Sequence, residues 1–245
     1  MKSTSAAQKK LLDAQRIDNA ITRAVHRRGT LPEIAALASL TTDRDAVRGG
    51  LARDLGVFED AKTELGRLES DVQVVEARIA RDNALIAQSQ SPVAVAGLQS
   101  ELESLTLRRG ILEDAQLEAM QVVETAETAL RASQQAEAEL SSQINTVNAS
   151  REESLEVIAE EVSALENERA NLLIGAEEPL IALYERIRAK NIVGAALFRA
   201  GTCGACNIAL TGNELALVRS AELDEVLQCP ECTAIMVRTE ESGLW

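Results

Sequence analysis

Ile86-Ala87-Gln88-Ser89-Gln90-Ser91-Pro92-Val93-Ala94-Val95-Ala96-Gly97-Leu98 is the stretch on which the fold turns. Before it, apolar residues recur at spacings of mostly three and four: Leu51, Leu55, Phe58, Leu65, Leu68, Val72, Val75, Ile79 and Ile86. A single stripe at that spacing is a coiled-coil seam. Pro92 lacks an N–H and disfavours helix at Ser91, which places an apex at about residues 88–97. After it a second seam begins at Leu98, Leu102, Leu105 and Leu112 and passes through Val123, Ala126 and Leu130. It then resumes with Leu140, Ile144, Val147, Leu155, Ile158, Val162, Leu165 and Leu172.

Such a helix, roughly 110 Å long at ~1.5 Å per residue, is too narrow in its apolar face to be buried all round. It needs a partner helix, and the chain holds one of matching length, from about residue 10 to 88. The short apex makes the two antiparallel, so residues whose numbers add to about 185 face each other. Two parallel chains in an intermolecular coil are the alternative; the matched arms favour the hairpin. Gly29-Thr30-Leu31-Pro32-Glu33 predicts a kink or short break in the first arm, with Thr30 and Glu33 as a capping box.

The composition agrees. Of 245 residues only four are aromatic (Phe58, Tyr184, Phe198, Trp245), although 46% are hydrophobic and 26% charged. Aliphatic seams must therefore supply what aromatic side chains supply in an ordinary core. Nothing resembles an apolar h-region or the ~18-residue run of a membrane span, so a cytoplasmic location without membrane is expected.

After Leu172 the pattern changes. Gly175 and Pro179 bracket a joint, Pro179 to Lys190 reads as a short helix, and beyond Asn191 helical periodicity fades. The expected organisation is a hairpin over 1–174, a joint and short helix over 175–190, and a small module over 191–245.

That module holds every cysteine of the chain: Cys203, Cys206, Cys229 and Cys232, two C-x2-C pairs separated by 22 residues. Two tight turns that each aim two sulfurs at one point make the four-thiolate tetrahedron that Zn²⁺ takes in structural sites. Gly204 suits the close backbone of the first turn. Short strands are expected at Ala195-Ala196-Leu197-Phe198, Glu225-Val226-Leu227-Gln228 and Ala234-Ile235-Met236-Val237. The module is a zinc ribbon with one structural Zn²⁺, because so small a piece has few apolar side chains of its own. A redox pair would need a thioredoxin-like βαβ context, and a catalytic zinc an open position.

No catalytic constellation accompanies it. His26 is the only histidine, beside Arg27 and Arg28 on a helix. Glycine-rich phosphate loops and G-x-S-x-G are absent from the sequence, so neither an enzyme nor a small-molecule substrate is expected. Asn148-Ala149-Ser150 matches a glycosylation sequon, which has no meaning in a cytoplasmic protein.

With a mainly α fold, a long antiparallel coiled-coil hairpin carrying a small C-terminal β zinc ribbon, the whole chain resembles the bacterial family of coiled-coil proteins that end in a C4-type zinc ribbon. The resemblance is carried by Leu183-Tyr184-Glu185-Arg186-Ile187-Arg188, Cys203-Gly204-Ala205-Cys206 and Cys229-Pro230-Glu231-Cys232, and by the ending Val237-Arg238-Thr239-Glu240-Glu241-Ser242-Gly243-Leu244. It implies a non-enzymatic role, either in nucleic-acid binding or as an adaptor or chaperone for protein partners. The family commonly continues Gly-Arg after the last cysteine, where this chain has Thr233-Ala234.

The net charge of −14 is unevenly spread: residues 1–32 carry +5, residues 33–190 carry −15 and residues 191–245 carry −4. Four thiolates around Zn²⁺ make the ribbon more acidic still. A polyanion is therefore expected at the base of the hairpin. There Lys2, Lys9, Arg16 and Arg23 recur every seven residues, and Arg27, Arg28, Arg186, Arg188, Lys190 and Arg199 lie nearby. RNA or DNA would be held there through phosphates, with little base reading in the absence of interleaved aromatics. The alternative is an adaptor that binds protein partners through the arms and ribbon. A monomer or weak dimer is expected.

Overall fold

The computed structural model describes residues 1–191 and 193–243; Ile192, Leu244 and Trp245, the last two within the expected ribbon module, lie outside the described residues. The elements follow in the order α1 (Ser5–Gly29), α2 (Pro32–Gln88), α3 (Pro92–Leu173), α4 (Glu178–Asn191), β1 (Ala195–Arg199), β2 (Thr202–Cys203), α5 (Gly212–Ser220), β3 (Leu227–Gln228) and β4 (Ile235–Val237), closed by a 3-10 turn at Glu240–Ser242. The long helices form a hairpin, and the strands form a small C-terminal module that holds the four cysteines.

The chain folds as two compact units, cut differently from the expected division. One is Glu33–Ser150; the other joins Met1–Pro32 to Arg151–Trp245. In the Glu33–Ser150 unit α2 and α3 run antiparallel. Arg48 pairs with Glu137 at 2.9 Å, Ser133 donates to Asp54, and Ser150 donates to Glu33 at 3.3 Å, all on the expected register. Arg78 pairs with Glu101 nearer the apex. Leu68, Leu112, Ala126, Leu130 and Ile144 are the buried seam. Asp82 interrupts it: its carboxylate is 6% exposed, and Oδ2 has no hydrogen-bond partner.

The apex is narrower than the sequence predicts. Residues 92–97, expected within the turn, are helical, which leaves only residues 89–91 between α2 and α3. Pro92 opens α3 instead of excluding it, because the first helical position needs no N–H. The Ser91 hydroxyl oxygen accepts from the Ala94 N–H at 3.4 Å, and the alanines that follow are good helix formers.

The break in the first arm falls where expected. Thr30 closes α1, its N–H bonding the Arg27 carbonyl at 3.1 Å and its hydroxyl donating back to His26 at 3.4 Å. α2 then restarts at Pro32.

In the other unit, α1 and α4 pack on the strands. The four-stranded sheet has the order β2-β1-β4-β3, with β1 parallel to β4 and the other pairings antiparallel. Leu11 and Ala14 of α1, Leu180, Tyr184 and Ile187 of α4, and Ala195, Ile235 and Val237 of the strands form one buried cluster. The strand module thus borrows its core from α4, its neighbour in sequence, and from α1, which is distant. A second cluster, Phe198, Cys203, Val218, Cys229 and Met236, lies around the cysteines. The backbone at residues 1–3 joins the same unit: Ser3 N–H bonds Asp224 O at 2.7 Å, and Val226 N–H bonds Met1 O at 3.0 Å.

Two expectations are corrected here. Helical structure does not end at Asn191, because α5 occupies the gap between the cysteine pairs. The strand expected over 225–228 is reduced to Leu227–Gln228, since the backbone before it serves Met1 and Lys2 instead.

Candidate metal centre and binding surfaces

The two C-x2-C turns are built alike. In the first, Cys203 accepts from Asn207 N–H at 2.8 Å and donates its own N–H to Ile208 O at 3.1 Å. In the second, Cys229 accepts from Thr233 N–H at 2.9 Å and donates to Ala234 O at 2.9 Å. Both Asn207 and Thr233 take left-handed backbone, at φ 59° and 64°. Asn tolerates that conformation; β-branched Thr does not do so readily. Asn191 braces Thr233, donating to Cys232 O at 2.7 Å and to Thr233 Oγ1 at 3.0 Å.

Gly204 is required for a different reason from the one its sequence position suggests. A Cβ there would lie 2.6 Å from the carbonyl oxygen of Leu197, which accepts the Gly204 N–H at 3.1 Å. The close approach is to β1 rather than to a sulfur.

These turns bring the four Sγ atoms within 4.8 Å of one another. Cys203 and Cys232 are 3.8 Å apart, and Cys206 and Cys229 are 3.9 Å apart. A tetrahedron with Zn–S bonds of about 2.3 Å has edges of about 3.8 Å, so the cage has the size of a four-thiolate zinc site and is too open for disulfides. The electrostatics call for a cation as well. Burial pushes the Cys232 thiol up to about 12 and raises that of Cys203. Only Cys206, held by the Ile208 backbone N–H, is lowered. Ionising so sheltered a set of thiols needs a positive charge among them. Cys203, Cys206, Cys229 and Cys232 would hold the ion, whose role in a closed four-sulfur sphere is structural.

The nine basic residues read from the sequence divide. Arg16 pairs with Glu168 at 3.3 Å and Arg27 pairs with Glu161. Arg188 is bound into a buried network at 3.4 Å from Asp18 and 3.1 Å from Glu185. Lys2, the head of the expected stripe, is tied to Glu222 and to Asp224 at 3.3 Å. Lys9, Arg23, Arg28, Arg186, Lys190 and Arg199 are exposed and enter no ion pair among the described residues. Arg16 and Arg23 do reach the ribbon: with Gln15, Asn19, Val193 and Gly204 they line a groove of about 320 Å³ between α1 and the first cysteine turn.

Sequence reasoning missed the network around Asp18. Asp18, only 3% exposed, accepts from Arg169 Nε at 2.7 Å and from the Tyr184 hydroxyl at 2.6 Å. Arg169 also pairs with Glu185. Burial and the Asp18 carboxylate raise the Tyr184 pKa. Burial opposes charge on Arg169, but the Asp18 and Glu185 carboxylates outweigh it and hold its pKa above the ordinary value. Gln15 Oε1 accepts the Gly194 N–H at 2.6 Å, locking β1 to α1.

Arg238 was missed too. It is buried, which lowers its pKa, and its guanidinium donates to the carbonyls of Val218 (3.2 Å), Ala221 (2.8 Å), Glu222 and Glu225 (2.9 Å). It thereby satisfies the C-terminal end of α5. The start of α5 did carry a legible signal, Thr211 followed by Glu214: the Glu214 carboxylate accepts from the Thr211 N–H at 2.7 Å.

Comparison with known proteins places these features. A model of the CT398-like coiled coil hairpin domain matches residues 14–192, and one of the C4-type zinc ribbon domain matches residues 202–236. An uncharacterized protein of Mycobacterium tuberculosis is 33% identical over 241 residues, covering 98% of each chain. One of Mycobacterium leprae is 26% identical over 228 residues, covering 91% of this chain and 96% of its own. A solved Mycobacterium smegmatis structure, 30% identical, superposes with a TM-score of 0.87 over 98% of this chain and all (100%) of that one. CT398 of Chlamydia trachomatis, 20% identical, shares the fold with a TM-score of 0.64 over 96% of this chain and 98% of its own. No enzyme family is among these matches, and no helix of the described residues is long and apolar enough to cross a membrane. The chain belongs to the family of CT398-like coiled-coil hairpin proteins, and its cysteine cage is that of a C4-type zinc ribbon suited to one structural zinc ion.

Proposed function

We propose that this protein is a non-enzymatic, cytoplasmic adaptor that binds protein partners through its coiled-coil hairpin and its zinc-ribbon unit. The observation that carries this reading is where charge is left without an internal partner. Of the nine basic side chains at the base that could meet a polyanion, Arg16, Arg27 and Arg188 are already on carboxylates, which leaves six. The Glu33–Ser150 unit has ten basic and twenty acidic residues, and large apolar side chains such as Leu107, Leu117 and Val122 stand exposed on it. An acidic surface studded with aliphatics repels nucleic acid and suits protein contacts. A reducing compartment would keep the four thiols available to metal.

Nucleic-acid binding at the base is the second reading, favoured by the groove that Arg16 and Arg23 form with the first cysteine turn. Photo-reactive residues introduced in cells at Leu117 and Val122, and separately at Arg23 and Lys190, discriminate between the two. Protein adducts at the hairpin positions are expected. Nuclease-sensitive adducts confined to Arg23 and Lys190 would replace the adaptor reading with the second one. That outcome should go with steeply salt-dependent RNA or DNA binding that is lost on charge reversal of Arg23, Arg28 and Lys190. Arg188 is unsuitable for the charge reversal, because its loss disturbs the Asp18 network.

A further inference from the structure

Resting on the adaptor reading, we propose that the outward face of α3 between Glu103 and Thr125 docks a cationic amphipathic helix of a protein partner. Positions 103, 107, 110, 114, 118, 121 and 125 follow one another at three or four residues and so share one side of the helix. The buried Leu112, Ala126 and Leu130 occupy the other side.

Three features coincide on the outward side. The first is apolar surface: Leu107 is 69% exposed, Leu117 60% and Ile111 54%. The second is a notch at Gly110, where an added Cβ would meet nothing within 4 Å. Glycine inside a helix costs about 1 kcal/mol relative to alanine, so the notch is bought with stability. It centres a shallow depression of about 670 Å³ bordered by Leu102, Thr106, Leu107 and Ile111. A second depression, of about 530 Å³, continues along α3 where Val57 of α2 approaches Gln121 and Thr125.

The third feature is charge. Glu103, Asp114 and Glu118 are exposed on this face, and none is in an ion pair among the described residues. Arg108 and Arg109 fall off it by the helical period, and Arg109 is engaged by Glu113 at 3.3 Å. The surface therefore offers aliphatic contacts with unbalanced carboxylates between them, over ~33 Å at ~1.5 Å per residue. Its complement is a helix with Leu or Ile on one side and Lys or Arg beside them. A second copy of this chain would set the same carboxylates against each other, and RNA would meet only negative charge.

The probe is a synthetic 20-residue helix of Leu and Lys, compared with its Leu and Glu counterpart, titrated against the full chain at physiological salt. The Leu/Lys peptide is expected to bind and the Leu/Glu peptide to fail. Gly110→Lys should weaken binding by about tenfold or more, since it fills the notch with a repelling charge. Lysine is the better helix former, so the loss cannot come from unfolding. Gln143→Lys adds the same charge at an exposed site elsewhere on α3 and should leave affinity within about twofold. Equal losses for the two variants, equal binding of the two peptides, no binding of either, or self-association abolished by Gly110→Lys would each overturn the proposal. If the peptide tests fail while photo-adducts at Leu117 or Val122 still carry protein, the cationic helix alone falls as the occupant. Nuclease-sensitive adducts confined to the base would remove the adaptor reading itself.

Discussion

Asp18→Asn should be among the most damaging conservative substitutions in the chain. The carboxylate is 3% exposed and receives Arg169 Nε at 2.7 Å, Arg169 Nη2 at 3.3 Å and the Tyr184 hydroxyl at 2.6 Å. Arg188 adds its charge at 3.4 Å. Asparagine keeps the shape but not the charge, and it turns an N–H₂ towards groups that are themselves donors. Hydrogen bonds to charged groups contribute about 1.5–3 kcal/mol against about 0.5–1.5 for neutral ones, so weakening both Arg169 bonds removes about 2–3 kcal/mol. The misplaced donor adds about 1 kcal/mol. Breaking a buried ion pair by removing one partner costs about 3–5 kcal/mol, but Arg169 is 20% exposed and keeps Glu185, which holds the figure near the lower end. The expected loss is about 3 kcal/mol in the unit that contains α1 and α4. Urea titration read by hydrogen exchange of α1 and α4 peptides measures it, with peptides of the Glu33–Ser150 unit as internal reference. Arg169→Met on top of Asp18→Asn should cost little more, because the Asp18 pair is already broken and Glu185 keeps Arg188. A loss below about 1 kcal/mol, or full additivity of the two changes, would refute the claim that the pair orders this unit.

Tyr184 is the only tyrosine. Its folded pKa is raised, so its stabilisation is fully present below the unfolded value of about 10 and is lost as pH rises from there towards the folded value. Ultraviolet absorbance should show the phenol ionising only as the fold is lost; ionisation near pH 10 with the structure intact would contradict the network. Asp82→Leu should stabilise the Glu33–Ser150 unit by about 1–3 kcal/mol, since it replaces a buried carboxylate with an unpaired oxygen by a seam residue. An unchanged or lower urea midpoint there would count against that. Gly204→Ala should cost about 2–4 kcal/mol and loosen zinc, because its Cβ would strike the Leu197 carbonyl. Wild-type zinc retention in a competition with a chromogenic chelator would show that β1 yields after all. Stripping the metal should erase protection of the β1–β4 amides while the α2 amides remain protected; a sheet that keeps its protection without metal would remove the structural role.

What the sequence made legible was whatever is periodic or locally spaced. The seam from Leu51 to Ile86 needed only the helical repeat, and the cysteine cage only two turns of two intervening residues. The apex was misjudged because Pro92 reads as a breaker, yet proline at a first helical position costs nothing. α5 escaped because nine residues are too few to show a period, although Thr211 and Glu214 announced its start. The Asp18–Tyr184 hydrogen bond joins residues 166 apart and leaves no local trace. The basic stripe was visible as charge, but the pairing of Lys2 and Arg16 within it was not. Arg16 and Glu168 obey the antiparallel register, so a cross-arm reading of acids could have found that pair. Nothing near Arg238 in sequence shows that four carbonyls converge on it.

The backbone bonds between Ser3 and Asp224 and between Met1 and Val226 impose an order on folding. At about 5–20 residues per second, a ribosome delivers Asp224 roughly 10–45 s after Ser3. For most of that interval α1 has neither the sheet nor α4 to cover Leu11 and Ala14. The Glu33–Ser150 hairpin has cross-arm pairs of its own, such as Arg48 with Glu137, and can close meanwhile, bringing the two halves of the discontinuous unit towards each other. The long arm is then an aid to closing a loop as well as a surface. Before α4 and the ribbon emerge Leu11 and Ala14 are uncovered, and the four-sulfur cage can close on zinc only once Cys232 is made.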